Sequence, residues 1–182
     1  MVGAVPVVGA WLYPYGGWDA GDGGFRGQLR SGAMAERTVP SRVQQVLDRL
    51  STEPNVWVAT ASLDGVPHLV PLSLAWIDDR VVVATPTETV TVRNATATGR
   101  ARVALDSAAD VVVIDADVEC ADLSHADQSV LDVYASRVGW DPRLEPSEWT
   151  LLTLTPRRVQ AWNSVAEIDG RTIMSHGVWR GS

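Results

Sequence analysis

From Asn55 to Trp179 the chain runs in short apolar segments punctuated by two-residue turn signals, and this rhythm leaves few folds open. Val56, Val58 and Thr60 alternate with their neighbours as strand residues do. Asp64-Gly65 is a hairpin signal, because both residues tolerate the left-handed backbone of a tight turn, and Asp78-Asp79 marks a second turn. Residues 55–86 are therefore expected to hold three strands. Pro67 and Pro71 lack the amide hydrogen that a central ladder needs, so the strand carrying them lies at an edge or is bulged. RARVALDS and DVVVIDADVEC supply two more strands around Ala108-Ala109. EWTLLTLTPRRVQAWNS reads as a long strand interrupted at Pro156, followed by a terminal hairpin around Asp169-Gly170.

Helical spacing shows in fewer places. Val39, Val43, Val46, Leu47 and Leu50 mark an amphipathic helix with Ser41 as its N-cap and an end before Pro54. Val130, Val133, Tyr134 and Val138 mark another, closed by Gly139. The segment TETVTVRNATATG, Thr87 to Gly99, is ambiguous: threonine and valine are poor helix formers, so its first half reads locally as a strand. Strands dominate and the turns are of hairpin type. The expected class is mainly β (α+β), a closed or split antiparallel β-barrel with two or three flanking helices.

With 182 residues the chain supports one sizeable core. Residues 1–33 are rich in glycine and aromatics and lack the basic start of a secretory signal. They are expected to form a flexible extension, with Met34 a candidate start and residues 34–182 the folded domain. A formal charge of −7 and a pI near 4.8 argue against a nucleic-acid surface. No apolar run reaches the roughly 20 residues of a membrane span. Cys120 is the sole cysteine, so disulfides, thiolate zinc clusters and CxxC pairs are excluded, and a cytoplasmic location is expected. All 15 basic residues are arginine, which removes lysine Schiff-base chemistry.

Several side-chain groups bear on chemistry. His68, His125 and His176 are far apart and show no metal-ligand spacing. Asp115, Asp117 and Glu119 share one face of a strand and read as a solvated face rather than a cation site. Cys120 reads as a buried, inert thiol. Trp76, Trp162 and Trp179 are the indoles expected nearest a ligand. No GxSxG, GxxxxGK[ST] or GxGxxG occurs, which removes the serine hydrolase, P-loop and Rossmann readings.

The ordered series VWVATASLDGVPHLVPLSLAW, RVVVATP, VRNATATGRARVALD and VVVIDADVE resembles the pyridoxamine-phosphate-oxidase-like family of FMN-binding split barrels. More narrowly it is similar to the actinobacterial branch that uses the deazaflavin coenzyme F-420, as is PRRVQAWNSVAEIDGRTIMSHGVW. The resemblance covers residues 39–179. It implies a homodimer with a flavin-type cofactor, FMN or F-420, in a groove between subunits, and hydride transfer with a small organic substrate. It also implies that a short helix follows Ala84-Thr85-Pro86, with Arg93-Asn94 in the family's "K-x-R-N-L" position. Pro71, Leu72 and Ser73 would then meet the ring edge, and Ala84 and Thr85 would line it. Thr89, Thr91, Arg93 and Asn94 would hold the phosphate or tail. The chain departs from the pattern where Thr91 replaces a lysine and Val90 another cation. That departure favours an alternative, a non-catalytic carrier of flavin, tetrapyrrole or lipid on the same barrel; a barrel kept only for dimerisation is a third reading.

Overall fold

The computed structural model describes residues 36–181; the expected extension at residues 1–33 lies outside them. In chain order the elements are helix α1 (Val39–Thr52), strands β1 (Asn55–Ala61), β2 (Pro67–Ser73), β3 (Ala75–Ile77) and β4 (Arg80–Pro86), helix α2 (Val90–Thr98), strands β5 (Arg100–Ala104) and β6 (Val111–Asp122), helix α3 (Gln128–Val138), and strands β7 (Trp149–Trp162), β8 (Thr172–Ser175) and β9 (Val178–Trp179). Antiparallel pairing gives the order β2-β1-β5-β6-β7-β4-β3, with β8 pairing β7 and β9 pairing β8. This is a split antiparallel β-barrel flanked by three helices.

Local chemistry explains the elements and corrects five expectations. The N-cap of α1 is Thr38, whose hydroxyl accepts from the Ser41 amide at 3.3 Å, because Pro40 already occupies the first turn and has no amide to cap. The buried face of α3 is Leu131 and Tyr134, with Val133 half exposed, so the apolar stripe is rotated from the expected one. Pro156 does not interrupt β7. The β6–β7 register instead shifts between Asp115 and Ala116, leaving Arg157 as the extra residue of a bulge beside the proline that cannot donate. The terminal hairpin turns at His176-Gly177, both at positive φ, rather than at Asp169-Gly170.

The strands expected in residues 55–86 number four, because Leu74 breaks one run into β2 and β3 and its amide donates to Pro54 O at 2.8 Å. As Pro67 and Pro71 require, β2 is an edge strand. Strand β4 is buried on both sides, which is why RVVVATP shows no alternation. Val81 and Val83 face the barrel interior with Val58, Val103, Ile114, Leu152 and Leu154. Val82 and Ala84 face a second layer with Leu131, Tyr134 and Leu151 under α3. Helix α1 closes one end of the barrel by burying Val46 and Leu50, each side chain contributing on the order of 1.5–3 kcal/mol.

A charged clasp ties the chain before α1 to the 3-10 turn Val165–Glu167. The fully buried Glu167 carboxylate accepts from Arg37 Nε at 3.0 Å, from Arg37 NH2 at 2.8 Å and from the Asn163 amide at 2.9 Å. Arg37 NH1 also reaches Asp110 at 2.8 Å. Every oxygen of Glu167 is therefore paired, which is the condition under which a buried carboxylate is tolerated.

Candidate functional site

Helix α2 forms against its propensity because both ends and one face are specified. The Thr89 hydroxyl accepts from the Val92 amide at 3.3 Å, and Gly99 at φ 64 ends the helix in the left-handed conformation. Val92 and Ala95 bury into the barrel core. Thr91 and Asn94 turn inward as well, at 1% and 3% exposure, and Asn94 Nδ2 donates to Thr60 Oγ1 at 3.3 Å. Arg93 lies on the exposed face and is the one charged residue of α2; its amide donates to Thr89 O at 3.1 Å, and its guanidinium makes no hydrogen bond or ion pair among the described residues.

The remaining expected site residues lie on β2 and β4. Pro71 is exposed opposite Trp57, while Leu72 and Ser73 are half-buried opposite Val56 and Asn55. Ala84 and Thr85 are buried, opposite Leu151 and Thr150 of β7. The β3–β4 register ends with Ala75 opposite Val82, so a continued ladder would place Leu74 opposite Val83 and then Ser73 opposite Ala84. Here the two strands part, and the Tyr134 hydroxyl stands between them. Tyr134 Oη accepts from the Ala84 amide at 3.1 Å and donates to Ser73 O at 3.4 Å. Burial pushes this phenol up to about 12, with the Ala84 amide a smaller opposing influence, so it stays a neutral hydroxyl able to play both parts.

The structure thus brings Ser73 and Ala84 to one hydroxyl. It divides the α2 residues between two faces, with Arg93 outside and Thr91 and Asn94 inside. Sequence reasoning placed Tyr134 on a buried face but missed this bridge; the available signal was that a buried tyrosine needs a partner for its hydroxyl. It also missed Thr150, whose Oγ1 meets Thr87 Oγ1 at 3.0 Å, and Trp149, whose buried Nε1 has no acceptor among the described residues. Trp149 stands opposite Pro86 at the end of β4 and packs edge-on against Trp140 with centroids 4.9 Å apart.

The start of α2 offers a donor set that suits an anion. The Val92 amide is taken by the Thr89 cap, but the Val90 and Thr91 amides of the first turn of α2 have no partner among the described residues, the helix dipole favours an anion at that end, and the Arg93 guanidinium is unspent. Glu88 is exposed beside the cap, so Arg93 must outweigh one carboxylate. Elsewhere the metal and thiol readings gain nothing. No cluster of three His, Cys, Asp or Glu that could hold a metal occurs among the described residues. Burial raises the pKa of the half-buried Cys120, away from a reactive thiolate. Among the described residues no helix is long and apolar enough to cross a membrane.

Comparison with known proteins agrees with this fold. The sequence profile of the pyridoxamine 5'-phosphate oxidase family matches residues 43–163. No curated protein matches the chain in sequence. Among solved structures, a heme binding protein from Mycobacterium smegmatis superposes with a TM-score of 0.57 at 15% identity, covering 79% of this chain and 60% of its own. General stress protein 26 from Bacillus anthracis gives 0.53 at 14% identity, covering 65% of this chain and 91% of its own. An F-420 reductase gives 0.50 at 15% identity, covering 62% and 94%. At these identities the likeness is one of fold. The profile match runs from within α1 to the residue after β7, across the whole barrel sheet except its terminal hairpin, and the chain belongs to the pyridoxamine 5'-phosphate oxidase family.

Proposed function

We propose that this chain is a flavin- or deazaflavin-dependent oxidoreductase that acts on a small organic substrate as a homodimer. The observation that carries the reading is Arg93: an exposed guanidinium without a partner among the described residues, on a helix whose first turn still offers amide donors, in a family of flavin-binding barrels. The F-420 reductase of like fold supports the deazaflavin version. When bound, the ring supplies hydride transfer, and the protein supplies position, hydrogen bonds and shelter from water. Arg93 and the first turn of α2 would hold the anionic tail. Pro71, Leu72 and Ser73, with Ala84 and Thr85, would border the ring at the split where Tyr134 keeps the two strands apart. Thr91 and Asn94 would support the site from within the barrel, since their side chains point there.

A second copy is supported by apolar side chains left outside. Trp57 and Leu69, at 38% and 58% exposure, sit on the outer face of β1 and β2 together with Pro71. Burying such a face is the usual role of a subunit interface. The alternative, a carrier without turnover, draws on the absent cation at Thr91 and on the heme binding protein of like fold.

Titration with FMN, coenzyme F-420 and heme, followed by turnover assays, tests the reading. Tight flavin or deazaflavin binding with reductase activity is expected. Arg93→Ala should weaken that binding by ~1.5–3 kcal/mol, the size of a hydrogen bond to a charged group. Binding without turnover would favour the carrier, and unchanged affinity in a folded Arg93→Ala variant would remove Arg93 from the site.

A further inference from the structure

We propose that a trough on the outer face of the sheet, between the C-terminal end of α2 and the β7 bulge, binds a small organic anion with a flat apolar body. The trough encloses about 750 Å³ over β1, β5 and β6. Its bed, on β1, is made of small side chains, Ala59 and Ala61, whereas Ala101 and Ala116 border it through their backbone and turn their methyl groups into the core. No side chain at these positions reaches beyond a methyl group, and that is what hollows the surface. Its walls are long: Arg100, Arg102 and Arg157 border it, with Asp115 and Asp117. Three cations against two anions make this a locally positive surface on a chain of net charge −7.

The pairing within this group leaves one cation over. Asp115 accepts from Arg102 Nε at 2.7 Å and from Arg158 NH2 at 2.6 Å, and two guanidinia hold its carboxyl below the usual carboxylate range despite partial burial. Arg100 stands directly opposite Asp117 in the β5–β6 ladder. Asp117 is nevertheless taken by Arg157 NH1 at 2.8 Å, from the residue that the bulge adds to β7. Arg100 is left with no carboxylate partner among the described residues. An uncompensated guanidinium beside an apolar bed selects its ligand: the fork binds a carboxylate or phosphate, and the alanines accept a hydrocarbon plane. The site is distinct from the one around Arg93, because Arg100 follows the Gly99 cap at the opposite end of α2.

The test is titration of the full chain with 2-naphthoate, followed by ligand-observed NMR, beside the neutral 2-naphthamide and inorganic phosphate. One saturable naphthoate site per chain is expected, with the amide and phosphate each at least about fivefold weaker. Arg100→Gln should weaken naphthoate about five- to tenfold, as for one partly exposed charge-assisted hydrogen bond. Ala59→Leu, which fills the bed without altering charge, should weaken it to a similar extent. Arg80→Gln, outside the trough, should leave it unchanged. Equal naphthoate affinity in Arg100→Gln overturns the proposal, as does equal affinity for the acid and its amide. Phosphate binding as tightly as naphthoate overturns the assignment of an apolar body. Because neither measurement uses a flavin, the outcome is independent of the cofactor reading above; Ala59 and Pro67 share the β1–β2 face of Trp57 and Leu69, so the titration is run beside a measurement of oligomeric state.

Discussion

Arg37, just before α1, spends its whole guanidinium on fixed partners, whereas Arg93 on α2 meets none among the described residues. The two side chains are chemically identical, and their surroundings give them opposite tasks. Around Arg37 the carboxylate of Glu167 is fully buried, so removing either member strands the other away from water. Around Arg93 nothing inside the chain depends on the charge, so its loss costs the fold little. The comparison teaches that in a chain with no lysine, arginines must be sorted by their partners rather than by their number.

The largest effect should come from breaking the clasp. Glu167→Gln removes a fully paired buried charge and should destabilise the protein by about 3 kcal/mol in urea unfolding; a loss below about 1 kcal/mol would show that Arg37 is as idle as Arg93. The same carboxyl gives a pH signature. Pairing with Arg37 lowers its pKa from 4.5 to about 2 in the folded state. A depressed folded value means that the stabilisation is complete above about 4.5 and fades as pH falls toward 2. Unfolding midpoints measured through that window should fall for the natural chain and change less for Glu167→Gln.

An intermediate effect is expected at the barrel split. Tyr134→Phe keeps the packing of α3 but leaves the Ala84 amide without its acceptor, at a cost of about 1–2 kcal/mol. Amide exchange at Ala84 should quicken in that variant, and unchanged exchange would show that the hydroxyl bridge is dispensable. The smallest effect should be that of Arg93→Ala on unfolding, within about 0.5 kcal/mol. A larger loss would mean that Arg93 shares the structural task of Arg37.

Much of the barrel was legible because strand signals are local. The Asp64-Gly65 and Asp78-Asp79 turns, the edge position forced by Pro67 and Pro71, and the Gly139 cap all follow from backbone preferences of single residues. The misreadings arose where two local signals competed. Ser41 and Thr38 were both eligible caps, and Pro40 decided between them. Asp169-Gly170 and His176-Gly177 could each close a hairpin, and pairing of β8 with β7 selected the second. Helix α2 was legible through the family resemblance and not through propensity, because its caps and buried face outweigh its threonines and valines. The candidate site was legible as a set of segments but not as an arrangement. Which residues of α2 face outward, and that a tyrosine from α3 stands between β2 and β4, depend on tertiary packing that no local pattern records.

That tyrosine has a practical consequence. One oxygen links the backbones of two strands, and the ring that carries it lies against Trp140 with centroids 6.3 Å apart, which in turn touches Trp149. Any widening of the gap between Ser73 and Ala84 must lengthen one of those two links or draw the phenol along. The edge-on indoles would register that displacement, so their emission offers a built-in gauge of the gap without an added label.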